Sequence, residues 1–161
     1  MRLSNRNKTS IYHFYLSAIL VILLLGIVVF FIEKSKLDFM GNEIYLFLIG
    51  PLVLAYIFYL RGRQIFEYDS DGEALNFRNR NIIRFLQNEA KDEFPKYKLI
   101  NYEIVNLLIL KRLYVTISSK KSHSIILRYD ISYISNKDIK DLEISLKKVV
   151  KANKQNKFIE N

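Results

Sequence analysis

Two uncharged apolar stretches, Ile11 to Ile32 and Ile44 to Leu60, stand near the start of the chain with only Glu33 to Glu43 between them. A helix rises about 1.5 Å per residue, so the first stretch is long enough to cross a hydrocarbon core of about 30 Å, and the second reaches the lower limit. Their closeness in the sequence predicts a membrane hairpin. After Arg61 the chain becomes charged, lysine-rich and alternating, which predicts a soluble domain behind an anchor. The expected boundaries are a transmembrane hairpin over 1–63 with spans at 11–32 and 44–60, a β domain with its C-terminal helix over 64–152, and a flexible tail over 153–161.

Charge placement orients such a hairpin. Arg2, Arg6 and Lys8 precede the first stretch and Arg61 and Arg63 follow the second, whereas the loop carries Lys34 and Lys36 against Glu33, Asp38 and Glu43. Basic residues near span ends mark the cytoplasmic side, so both termini are expected in the cytoplasm, with the chain in the cytoplasmic (inner) membrane. A cleaved secretory signal would have an apolar region of about 7 to 15 residues ending at small residues. This stretch is longer and ends Phe30-Phe31-Ile32-Glu33, which favours retention. Tyr12, Tyr15, Tyr45, Tyr56 and Tyr59 near the ends of the two stretches suit an interfacial aromatic belt.

From Gln64 the pattern has the period of strands. Ile65 to Tyr68 and Leu75 to Arg78 flank Asp71-Gly72, a hairpin turn signal. Ile82 to Leu86 fits a strand or a short helix equally, and Asn88 to Glu93 is a charged run before Phe94-Pro95. Ile100, Tyr102 and Ile104 then alternate with Asn101 and Glu103. An apolar patch, Leu107 to Leu110, precedes Lys111-Arg112. Leu113, Val115 and Ile117 alternate with polar neighbours, Ser119 to Ser122 forms a turn, and Ile125, Leu127 and Tyr129 resume the alternation. At the end, Ile139, Leu142, Leu146, Val149 and Val150 share one helical face. Ser135 with Asp138 predicts a capping box, and Ile134 with Ile139 a hydrophobic staple. The helix is expected to cover one face of the sheet and to fray from Asn153.

Catalytic and metal-binding patterns are missing. The chain has no cysteine, so disulfides and thiolate chemistry are excluded. Asp69-x-Asp71-x-Glu73 resembles the opening of a calcium loop, but glycine stands fourth rather than sixth and the twelfth position is Arg80. His13 and His123 fall in no catalytic spacing, and no glycine-rich phosphate loop exists among five glycines. An enzyme is not expected, nor a cofactor, nor a metal. Basic charge is the surviving signal: from Arg61 onward Lys and Arg number 20 against 13 Asp and Glu. Anionic inner-leaflet lipids attract basic side chains near the surface, and Arg61, Arg63, Arg78, Arg80 and Arg84 are the candidate contacts. Nucleic acid is not expected, because the strand aromatics alternate as core residues do.

Antiparallel strands with an Asp-Gly hairpin near the start and one amphipathic helix at the end, behind a two-helix hairpin, resemble the bacterial pleckstrin-homology-like domains of small membrane proteins. Phe94-Pro95-Lys96-Tyr97-Lys98-Leu99, Leu113-Tyr114-Val115-Thr116-Ile117-Ser118-Ser119-Lys120 and Tyr129-Asp130-Ile131-Ser132-Tyr133 are also similar to small two-span bacterial membrane proteins. The resemblance implies an α+β membrane protein whose small antiparallel sheet or barrel is capped by the C-terminal helix. A full barrel of that kind has seven strands, of which the sequence pattern places five or six. No ligand residue carries over, since such folds do not fix function. The expected function is a non-enzymatic, membrane-anchored binding or scaffold module, with the lipid bilayer and a membrane protein or anionic lipid surface as partners. The alternative is an accessory subunit of a membrane transport or secretion complex recognised through its hairpin, with Gly26 and Gly50 as points of close helix approach.

Overall fold

The computed structural model describes residues 1–37, 39–83, 89–119 and 123–159. The chain divides into two compact units, Ser10–Leu60 on one hand and Met1–Thr9 with Arg61–Asn161 on the other.

The hairpin unit contains α1 (Thr9–Ile32, whose first residue belongs to the β unit) and α2 (Leu46–Leu60). With their flanking turns they form helical runs of 30 residues (Arg6–Ser35) and 20 residues (Gly41–Leu60), both long and apolar enough to cross a membrane. Their side chains are mostly exposed: within α1 only Tyr12 and Gly26 are buried, and within α2 only Pro51. The helix of a soluble core would be buried along one face instead. Gly26 is where the two helices meet. A Cβ there would lie 2.2 Å from the Phe47 carbonyl oxygen, so only glycine admits this approach, whereas a Cβ at Gly50 meets nothing within 4 Å. The connection is tied by Glu33, whose buried carboxylate accepts from the amides of Phe39 and Met40.

Among the described residues the β unit is α+β, with two antiparallel sheets and the C-terminal helix. Its first strand, β1 (Arg2–Ser4), precedes α1, and the rest follow α2: β2 (Ile65–Asp69), β3 (Ala74–Arg80), β4 (Ala90–Pro95), β5 (Leu99–Asn106), β6 (Lys111–Ser119), β7 (His123–Asp130) and α3 (Asn136–Ile159). The sheets run in the orders β1-β2-β3-β4 and β5-β6-β7. The β unit therefore reaches outside residues 64–152. It takes in β1, paired Leu3 to Tyr68, and α3 continues past Asn153, the point where fraying was expected. Asn153 is held because its amide donates to the Lys96 and Leu99 carbonyls at 2.7 and 2.8 Å.

Turn and cap chemistry form as the sequence predicts. Gly72 takes φ +72 in the β2–β3 hairpin, and Asp69 accepts from the Asp71 amide at 2.8 Å. At the start of α3, Ser135 Oγ accepts from the Asp138 amide at 3.1 Å and donates to the Asp138 carboxylate at 2.6 Å. In the segment left open between strand and helix, residues 84–88 lie outside the described residues, as do 120–122 of the expected polar turn. Of the charged run before Phe94, the residues Ala90 to Glu93 belong to a strand, β4. In β5 the alternation shifts phase, because a bulge between Leu99 and Asn101 buries Leu99 and leaves Ile100 exposed, while Tyr102 and Ile104 still pack inward.

Aromatic rings join the two sheets. Phe77 of β3 stacks on Tyr129 of β7 with centroids 4.8 Å apart and on Phe94 of β4 at 5.7 Å, both at 12°. Tyr129 Oη donates to Asp92 Oδ2 at 2.8 Å, which accounts for an inward-facing carboxylate in β4. Ile139, Leu142, Leu146 and Val150 of α3 complete this core, and Tyr68 Oη meets Ser145 Oγ at 3.0 Å. Truncating Leu146 to alanine is expected to cost about 2–5 kcal/mol, the range for a fully buried leucine, whereas Ile144→Ala at an exposed position should stay within about 0.5 kcal/mol. Denaturant titration of the full chain in mild detergent reads the difference.

Burial raises the Tyr129 phenol well above its ordinary value, and the hydrogen bond to Asp92 adds to the shift. Burial also raises Tyr68, against the hydrogen bond from Ser145. A folded chain that keeps these protons where the unfolded chain releases them has that stability in full below pH about 10 and loses it as pH rises further. Melting temperatures across the alkaline range should fall steeply, and less steeply in Tyr129→Phe.

Candidate functional site

One end of the β unit gathers three of the five arginines that the sequence singled out for charge. The chain leaves the unit at Thr9 and returns at Arg61, and a buried polar network fastens both passages. Asn5 donates to the Gln64 carbonyl at 2.7 Å and accepts from the Phe66 amide at 2.8 Å. Gln64 in turn donates to the Gly62 carbonyl at 2.9 Å and accepts from the Ile82 amide at 3.1 Å. Asn79, fully buried in β3, donates to the carbonyls of Ile65 and Asp130 at 3.0 Å each and accepts from the Asp130 amide at 2.8 Å, so one side chain links the two sheets. Buried amides must be paired in this way or cost stability, and these are paired on both atoms.

Asp130 is the focus of the cluster. It ends β7 opposite Arg112 of β6, with Arg112 Nε 3.4 Å from its Oδ1. Its Oδ2 accepts from the Arg63 amide at 3.3 Å. Gly62 lies directly against it: φ is +77, and a Cβ at this position would stand 2.5 Å from the Asp130 carboxyl carbon. Both the left-handed backbone and the close approach require glycine. Arg61 donates to the Ser132 carbonyl at 3.0 Å and lies over the Tyr133 ring at 4.6 Å, which anchors the returning chain to the β7–α3 connection.

Of the five arginines named from the sequence, Arg61, Arg63 and Arg80 come together at this end, with Arg80 opposite Ile65 at the end of β3. All three are half-buried, as is Arg112. The Nε atoms of Arg61, Arg80 and Arg112 are buried without a hydrogen-bond partner among the described residues. Arg78 is differently engaged. It pairs with Glu89 and stands 3.9 Å from Glu67, and the Glu89 hydrogen bond holds that carboxyl below its usual range and the guanidinium above its own. Arg84 lies outside the described residues. Arg112 and Asp130 were missed, although the pattern held a signal: both flank inward residues, Leu113 and Tyr129, so both lie on the opposite side of neighbouring strands, where Asp130 is covered by Gly62.

The arrangement places several guanidinium groups near one buried carboxylate that Arg112 faces, a local excess of positive charge. Among the described residues no group of three or more His, Asp or Glu is placed to hold a metal ion. No family model matches the chain, and neither a curated protein nor a solved structure matches it.

Gly62→Ala is expected to destabilise the β unit by about 1–3 kcal/mol, since strain and a clash act together. Gly72→Ala, left-handed but with open space around it, should cost about 1–2 kcal/mol. The two melting curves, recorded side by side on the full chain, test whether the Asp130 contact adds to backbone strain.

Proposed function

We propose that this chain is a two-span protein of the cytoplasmic membrane of a bacterium, both termini cytoplasmic, whose pleckstrin-homology-like β domain is a non-enzymatic binding module working at the anionic membrane surface. The observation that carries the reading is the pairing of β1 with β2. One strand precedes both apolar helices and the other follows them, so their hydrogen bonding requires an even number of crossings between. A two-span hairpin satisfies that requirement, and the basic residues on the terminal side favour the cytoplasmic orientation. Seven strands among the described residues, in sheets of four and three and followed by a helix, support a pleckstrin-like arrangement. The arginines at the end where the chain leaves and returns supply the attraction to anionic headgroups.

A second reading, an accessory subunit of a transport or secretion complex recognised through its hairpin, draws on Gly50. That position has open space around it where Gly26 is already filled by Phe47. Such a face can admit another helix closely.

Two basic residues near a charged surface contribute about 1 kcal/mol each. Arg63→Gln with Arg80→Gln should therefore weaken phosphatidylglycerol binding by about thirtyfold. Native mass spectrometry of the full chain, titrated with that lipid in mild detergent, provides the measurement. Unchanged binding removes the lipid-surface reading. Exchange of the hairpin for an unrelated two-span hairpin separates the second: binding survives if the β domain carries the function and a complex is lost if the helices do.

A further inference from the structure

The β5–β6 turn has the wrong chemistry for water. Leu107 and Leu110 exchange backbone hydrogen bonds of 2.8 and 3.2 Å, which closes a two-residue hairpin with Leu108 and Ile109 at its tip. Such tips call for Asn, Asp or Gly, whose short or absent side chains fit left-handed backbone and face solvent without penalty. Here neither tip residue has positive φ. Leu108 is fully exposed, and Leu107 and Ile109 are 53% and 46% exposed. The same unit builds its β2–β3 tip from Ser70-Asp71-Gly72-Glu73, so polar turn chemistry is used elsewhere in this chain.

The place of the apolar tip is equally specific. Its base is Lys111, whose amide donates to Ser132 Oγ at 3.0 Å, and Arg61 donates to the carbonyl of that same serine. Arg112, next in sequence, faces Asp130, against which Gly62 packs. The tip therefore projects from the end of the β unit at which the chain returns from α2, with Arg61, Arg63, Lys111 and Arg112 around its base. Of the acidic groups described at that end, Asp130 is buried, Asp138 is engaged by Ser135, and Glu89 is paired with Arg78.

We infer that the Leu107–Leu110 turn is a lipid-inserting wedge: its apolar tip enters the acyl boundary of the bilayer while Lys111, Arg112, Arg61 and Arg63 hold anionic headgroups at its base. An apolar projection ringed by cations is the arrangement of interfacial anchors, in which aliphatic side chains leave water and basic side chains stay at headgroup level. The occupant is lipid rather than a partner protein because chain connectivity fixes the neighbour. Arg61 directly follows the last residue of α2, so a tip whose base is fastened to Arg61 through Ser132 is tethered within a short length of chain from the bilayer that this helix is proposed to enter. This rests on the reading that α1 and α2 cross a bilayer, and it adds a second, reversible attachment that would set the tilt of the β unit.

The chain contains no cysteine, which permits single-site labelling. Leu108→Cys, Asp71→Cys and Val21→Cys, each in the full chain, are labelled with an environment-sensitive fluorophore and placed in nanodiscs of phosphatidylcholine and phosphatidylglycerol. Quenching by aqueous iodide and by nitroxide on lipid acyl chains is then compared. The expected result is a blue-shifted label at 108, quenched several-fold more by lipid nitroxide than by iodide, with the reverse at 71. Iodide quenching at 108 with lipid quenching at 21 overturns the wedge and leaves the anchor standing, whereas iodide quenching at both sites overturns the anchor with it. Shielding at 108 from both quenchers points to a protein occupant and overturns the lipid assignment. Equal lipid quenching at 108 and 71 does so too, since the tip would not be selective.

Discussion

Asn5 joins the two passages of chain that bound the apolar hairpin. A single buried carboxamide satisfies the Gln64 carbonyl and the Phe66 amide, so residues 59 and 61 positions apart in sequence are held side by side. The remaining order at that end builds on this fastening. Gln64 shapes the Gly62 turn, Gly62 packs on Asp130, and Asp130 shares its backbone with Asn79 across the two sheets. Each of these polar groups is buried, and each would cost more unpaired than it gains when paired. The network therefore acts as one specification, in which the Asn5, Gln64 and Asn79 carboxamides are each paired on both atoms.

How much of this was legible depended on the length of the signal. The amphipathic face and cap of α3, the Asp-Gly hairpin and the strands through Leu113 and Tyr129 are periodic over enough residues to read directly. β1 is not, because three residues hold one inward apolar side chain, Leu3, and a strand that short has no period. β4 was obscured by Asp92, an inward carboxylate that only makes sense once Tyr129 is known to donate to it. Ile100 fits the expected alternation in sequence, yet the neighbouring bulge turns it outward. At the candidate site, sequence gathered arginines by proximity to the apolar stretches and so ranked Arg78 with Arg80. Their difference is a matter of cross-strand neighbours, Glu67 and Glu89 for Arg78, which local composition does not reveal. Gly26 and Gly50 look alike in sequence for the same reason, and only the facing backbone of Phe47 separates them.

The β unit is also polar in the sense of having two unlike ends. One carries the polar β2–β3 turn, with Asp69 and Asp71 paired to Arg2 and the N-terminus; the other carries guanidinium groups, a buried carboxylate and an aliphatic turn. Nothing in the packing of the core demands this difference, since Phe77, Tyr129 and Leu146 would be buried equally with either kind of loop. The asymmetry belongs to the surroundings of the molecule rather than to its interior.

The short strand ahead of α1 has a consequence for biogenesis. Arg2 and its partner Asp69 are separated by 67 residues, so β1 is synthesised long before the edge it must pair with, and the intervening chain contains both apolar helices. If the two helices cross a bilayer as proposed, a hairpin threaded only once would leave β1 and β2 on opposite faces, and β2 would keep a row of unpaired amides and carbonyls open to aggregation or proteolysis. On the proposed two-span reading, closure of the sheet would double as a proofreading step, in which a correctly threaded chain hides its edge and a misthreaded one displays it.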